Sequence, residues 1–154
     1  MKFYYKALGE NGYIEVFHQN ELFLNAKQSN YFLRSNYKFQ KDGKTIFKSR
    51  LSYLPFWQKV KILYQDLPEA IEEITSISWR ASELFYANNV LTLKRHSFFK
   101  KKMWRLYKNG FEVGCIEWAK AISLGGEYNI FIDDEDDAIN TNFLILFVTS
   151  MPSG

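Results

Sequence analysis

Along most of this chain, apolar and polar residues alternate with a period of two. In "WQKVKILYQ", Val60, Ile62 and Tyr64 fall on one face and Lys59, Lys61 and Gln65 on the other, which is the pattern of a half-buried strand. The stretches "MKFYYKAL", "YIEVF", "ELFLNA", "NYFLRSNYKFQ", "TIFKSRLSY", "SELFYA", "VLTLKRH", "MWRLYK", "FEVGCIEW" and "EYNIFID" share this texture. Turn chemistry separates many of them. Asn11-Gly12, Asp42-Gly43, Asn88-Asn89 and Asn109-Gly110 all tolerate the positive φ that a tight hairpin needs. "DLPEAIEEITSI" is mixed: Pro68 suits the start of a short helix, whereas "ITSISW" reads as a strand. The pattern predicts roughly ten or more short strands at about 8–12-residue spacing, with no βαβ alternation and so no parallel sheet. A sheet this long must close or fold over to bury one face and protect its edges, which predicts a barrel or a sandwich.

The last segment breaks the alternation. In "TNFLILFVTSMPSG", Phe143 to Val148 are apolar without interruption, directly after the acidic run "DDEDD" and its short linker. A membrane-spanning helix needs about 20 apolar residues, and this run has six, so a membrane anchor is not expected here. Two elements fit what remains. A strand would be buried on both faces, as Phe, Ile and Val favour. A helix over 138–151 would be apolar nearly all round and would have to be enclosed by protein. The acids at 133–137 would then face its positive N-terminal end, with Asp137, Asn140 or Thr141 as the cap and Pro152 beyond its end.

Composition narrows the class. At 154 residues the chain is expected to form one domain, 1–154, with a sizeable core. Aromatic residues make up 18%, which again favours strands. One Cys and two His give no intramolecular disulfide and little basis for a zinc site. The N-terminal "MKFYYKALGENG" lacks the apolar run of a signal peptide, so the expected location is cytoplasmic. "DDEDD" lacks the spaced ligands and central Gly of a calcium loop, and no nucleophile elbow or phosphate-binding glycine motif occurs. Cys115 falls within a strand as a small core residue, and His18 and His96 have no partner at ligand spacing. No cofactor, metal or catalytic residue is expected, and the chain is not read as an enzyme.

Charge supplies the one candidate site. Net charge is +3, but five of the 17 acids lie in residues 133–137, so the rest of the chain sets 20 bases against 12 acids. Bases are densest in "LKRHSFFKKKMWRLYK", where residues 94–108 hold no acid. With Leu91 and Leu93 inward, Lys94 and His96 point outward. With Trp104 and Leu106 inward, Arg105 and Tyr107 point outward. Lys100, Lys101 and Lys102 then occupy the hairpin tip, beside Phe98 and Phe99. The candidate patch is Lys94, Arg95, Lys100, Lys101, Lys102 and Arg105. Such a loop suits an anionic membrane surface, where each base contributes about 1 kcal/mol. It equally suits a solvated hairpin whose lysines protect a sheet edge.

A basic hairpin, then "MWRLYKNGFEVGCIEW", "EYNIFID", an acidic run and a terminal apolar segment resembles the C-terminal half of the tubby C-terminal-like superfamily, nearest its LURP-one-related and phospholipid-scramblase branches. The resemblance covers about residues 84–150, by order and texture. It implies an all-β closed antiparallel barrel around one hydrophobic C-terminal helix, and so selects the helix for the tail. It also implies phosphoinositide contact through basic residues, without specifying which. The expected function is a non-enzymatic binding or scaffold module that touches anionic lipid headgroups or a protein partner. Two alternatives stand beside it: a hollow barrel holding an apolar small molecule, and a single-stranded nucleic-acid binder with bases and aromatics interleaved. A helix through the barrel separates the first alternative from the others.

Overall fold

The computed structural model describes residues 1–8, 12–54, 57–78, 81–96, 102–119 and 126–150. Among the described residues twelve strands follow one another: β1 (Lys2–Leu8), β2 (Tyr13–His18), β3 (Glu21–Tyr31), β4 (Arg34–Lys41), β5 (Lys44–Leu54), β6 (Trp57–Gln65), β7 (Ile71–Ser78), β8 (Ala81–Tyr86), β9 (Asn89–Arg95), β10 (Lys102–Lys108), β11 (Phe111–Trp118) and β12 (Glu127–Ile132). Each pairs antiparallel with the next, and β12 returns to β1 with Ile130 opposite Phe3, so the sheet closes into a barrel. One helix, α1 (Asp137–Ser150), follows β12. The pattern alone leaves a barrel or a sandwich, and a strand or a helix for the tail; the architecture is the closed barrel around a C-terminal helix that the resemblance implies.

The alternation of the strands builds the core. Phe3, Tyr5, Val16, Leu24, Phe39, Phe47, Leu84, Leu91, Leu106 and Ile130 all point inward and are buried. Along α1 every residue from Ile139 to Thr149 is buried. A helix apolar on all sides is stable only when surrounded, and here the barrel wall surrounds it. Phe147 stands edge-on to Tyr5, Trp104 and Tyr128, with ring centroids 5.2, 6.0 and 5.6 Å away. The cap is Asp136, one residue earlier than any of the three expected. Its carboxylate accepts the Ala138 N–H at 2.9 Å, and its carbonyl accepts the first helical bond from Asn140. Asn140 is inside the helix instead, donating from its side chain to the Asp134 carbonyl at 3.1 Å.

Turns gather at two ends because the strands alternate in direction. Gln19-Asn20, Asp42-Gly43, Ala87-Asn88, Asn109-Gly110 and the start of α1 share one end, here the acidic end. The Phe32-Leu33 turn shares the opposite end with the strand termini Leu54, Ser78, Arg95 and Trp118. Asp42-Gly43 and Asn109-Gly110 take positive φ at both residues, as a two-residue hairpin demands. Gly12 also has positive φ, whereas Asn11 lies outside the described residues.

Four local expectations are corrected. The β8–β9 turn is Ala87-Asn88, one residue before the predicted Asn88-Asn89, because Asn89 already pairs with Tyr86. "NYFLRSNYKFQ" is not one strand: it reverses at Phe32-Leu33, and Tyr31 pairs with Arg34. No helix begins at Pro68, since residues 66–70 are irregular and β7 starts at Ile71. Tyr64 does not share a face with Val60 and Ile62. A register shift between Lys48 and Ser49 places Tyr64 opposite Lys48 on the outside, where it is 45% exposed. A bulge of this kind reverses the facing of every residue beyond it.

Candidate functional site

The basic hairpin is built on β9 and β10, next to each other in the wall. Lys94 and Arg105 are direct cross-strand partners. Their neighbours Leu93, Trp104 and Leu106 are buried inward, so both cations stand on the outer face, as the alternation predicts. The Lys94 ammonium lies 5.0 Å from the centre of the Tyr107 ring. Arg105 meets a carboxylate absent from residues 94–108, since β11 brings Glu112 to 3.6 Å from its guanidinium. Both side chains are about half exposed, so this pair contributes no more than about 1 kcal/mol.

Arg95 is on the other side of the wall. It continues the inward row of Leu91 and Leu93 and is registered against Trp104, whose indole it covers at 5.3 Å. Burial there lowers the pKa of the guanidinium, and the Tyr128 phenol acts in the opposite direction. Arg95 therefore caps the core at the barrel mouth, above Trp104 and Tyr128. Lys100 and Lys101, with Phe98 and Phe99, lie outside the described residues, and of Lys102 only the backbone is described, paired with Glu117. Among the six candidate residues the fold brings Lys94 and Arg105 together outside and separates Arg95 from them.

The end of the barrel that carries this hairpin also carries a feature that alternation could not reveal. The β3–β4 turn presents Phe32 at 90% exposure, with Leu33 and Tyr31 more than half exposed. Leu33 takes a positive φ of 59°, which an apolar L-residue seldom adopts. Elsewhere, a surface cleft of about 1090 Å³ runs along β1 and β2 towards the acidic end, and Lys2, Lys6, Glu15, His18, Asn129 and Glu135 contribute to it. It mixes both signs of charge and contains no nucleophile–base pair. The His18 ring nitrogen Nδ1 is engaged by the Lys2 carbonyl at 3.0 Å.

Among the described residues no group of His, Cys, Asp and Glu is arranged to hold a metal ion. Among them, too, no helix is long and apolar enough to cross a membrane. Comparison with family models, curated proteins and solved structures finds no match to this chain.

Proposed function

We propose that this chain is a non-enzymatic binding module of tubby-like form, related in architecture to the LURP-one group, which docks on anionic phospholipid headgroups through the β9–β10 hairpin. It would act at the periphery of a membrane from the cytoplasmic side. The observation that carries the reading is the Lys94–Arg105 pair. Two like charges stand directly opposite each other on the outer face of neighbouring strands; the exposed Glu112 contact offsets Arg105 only weakly, so a bound anion would relieve the repulsion that remains. The intervening chain adds Lys100, Lys101 and Lys102 in sequence. The exposed Phe32 and Leu33 at the same end supply apolar side chains of the sort that enter a bilayer interface. The filled lumen weighs against the hollow-barrel alternative, because α1 occupies the space an apolar ligand would take.

Liposome co-sedimentation tests this. Vesicles containing phosphatidylserine should pull down the protein at low salt, and vesicles of phosphatidylcholine alone should not. Binding should weaken steeply as salt shortens the Debye length towards about 8 Å. Lys94→Glu with Arg105→Glu should remove it. An unmodified protein that ignores anionic vesicles at low salt contradicts the proposal.

A further inference from the structure

Strand register collects a second set of cations on the far side of the barrel from the β9–β10 hairpin. Across the outer face of β2 to β6, one row reads Tyr13, Lys27, Lys38, Lys48, Tyr64, each residue registered against the next. The next row towards the Phe32 turn is Ser29, Asn36, Arg50, Lys61. The third is Tyr31, Arg34, Ser52, Lys59. Six of these seven cations are exposed, and Arg50 is half-buried with its Nε donating to Asn36 at 3.1 Å. Among the described residues none of the seven forms an ion pair with a carboxylate. Glu15 stands on the outer face of β2 two residues from Tyr13, in the row with Asn25 and away from the three cationic rows, and Glu73 is on β7.

This wall is not what folding alone selects. Lys27, Lys38 and Lys48 are consecutive cross-strand neighbours on one face, and Arg50 faces Lys61 in the next row. Like charges directly opposite one another destabilise a sheet. Neighbouring strands are about 4.8 Å apart and same-face residues about 6.7 Å apart along a strand, so the repulsion is close-range in both directions. The tyrosines stand at the two ends of the lysine row. Tyr13 and Tyr64 are 46% and 45% exposed, so their rings are open to solvent, and the Lys27 ammonium sits 5.2 Å from the Tyr13 ring centre.

We infer that the outer wall of β3 to β6, edged by Tyr13 and Tyr64, is a binding site for single-stranded nucleic acid. Cations in successive rows match a ligand whose charges recur along a chain, and edge tyrosines supply faces on which bases stack. A bilayer fits less well. The wall is the convex side of a barrel, and its exposed apolar side chains, Leu63 beside Tyr64 on β6 and Phe32 at the β3–β4 turn, stand at its margins, while its centre on β4 and β5 is cationic and polar. The inference goes beyond the proposed lipid contact and uses none of its residues.

Fluorescence anisotropy with a labelled uridine oligomer of roughly twenty nucleotides tests it. The protein should bind at about 50 mM salt, with log K falling by about 0.7 per engaged phosphate for each tenfold rise in salt. Lys27→Gln, Lys38→Gln and Lys48→Gln combined should weaken binding at least tenfold and make that slope shallower by about 2. This variant should melt no lower than the parent, because it removes like-charge contacts, so a loss of binding would not reflect unfolding. Tyr13→Ala with Tyr64→Ala should weaken binding several-fold while leaving the slope unchanged. Lys94→Gln with Arg105→Gln should leave oligomer binding intact whether or not it removes vesicle binding, which keeps the two surfaces apart. The inference is overturned if the parent does not bind the oligomer at about 50 mM salt, or if the triple glutamine variant binds as the parent does. It is also overturned if the triple variant loses phosphatidylserine vesicles while the parent ignores the oligomer, since the wall would then belong to a membrane.

Discussion

The ring of Phe147 in the buried helix meets that of Trp104 in the wall edge-on, with centroids 6.0 Å apart and planes at 80°. Trp104 is covered in turn by the Arg95 guanidinium, so helix, wall and mouth meet in one stack. Phe147→Ala should destabilise the protein by about 3–5 kcal/mol, because it leaves a cavity between Tyr5, Trp104 and Tyr128 that the closed wall cannot collapse to fill. Urea unfolding of the variant would show this as a large fall in midpoint. A change below about 1 kcal/mol would mean that the stack is not close-packed.

Two glycines should fail for different reasons. Gly110 has open space where a Cβ would go, but its φ is +85°, so Gly110→Val should cost more than about 1 kcal/mol through backbone strain in the hairpin. Gly114 has no such φ, but a Cβ there would lie 2.1 Å from the Phe131 carbonyl oxygen. Gly114→Ala must therefore push β11 away from β12 and should be the more damaging of the two. Thermal melts of both variants against the parent give the ranking, and the reverse order would contradict the strand packing at this position.

The helix cap makes a smaller, separable prediction. Asp136→Ala removes the acceptor for the Ala138 N–H and a negative charge from the helix start. It should lower stability by about 0.5–2 kcal/mol, and Asp136→Asn should recover most of that. An alanine variant as stable as the parent would place the helix start elsewhere.

Alkaline pH should unfold the protein through its core phenols. Tyr86 is buried, and burial first, then the Glu69, Asp136 and Asp134 carboxylates, pushes its pKa from 10.0 up to about 12. Burial also raises Tyr5 and Tyr37, helped by the neighbouring Tyr128 and Tyr53 respectively. The folded state thus keeps protons that the unfolded chain releases. This contribution to stability is complete below pH 10 and is lost as pH rises towards 12 for Tyr86. Denaturant midpoints measured across that range should fall, and Tyr86→Phe should make the fall shallower. A flat profile would mean that these hydroxyls reach solvent.

The parts of the fold visible in the sequence were those set by local chemistry. Asp42-Gly43 and Asn109-Gly110 are legible because few other residues accept positive φ at both positions. The burial of the tail is legible because Phe143 to Val148 cannot be left in water, but its helical form is not, because an apolar run of this length suits a buried strand equally well. Phe32-Leu33 is illegible because an apolar pair makes this turn against its own preference, leaving no turn residue to read. The outward placing of Tyr64 depends on a bulge in β5–β6 pairing, a property of two strands and not of either alone. At the candidate site, alternation correctly sends Lys94 and Arg105 outward. The proximity of Glu112, and the alignment of Lys27, Lys38 and Lys48, need the register between strands, and residues so far apart in the chain show no pattern within any one segment.

α1 forms the centre of the barrel's core. The six side chains from Phe143 to Val148 are each no more than 1% exposed. At about 1.5–3 kcal/mol for each buried side chain, their gross contribution is roughly 9–18 kcal/mol. A domain of this kind is stable by only about 5–15 kcal/mol, so the helix outweighs the margin even after a discount for residual burial in the unfolded chain. The most direct measurement is circular dichroism with gel filtration on the chain ended at Asn142. That product should be aggregated or lack a cooperative melt. A monomeric truncated chain that melts cooperatively would contradict this role of α1.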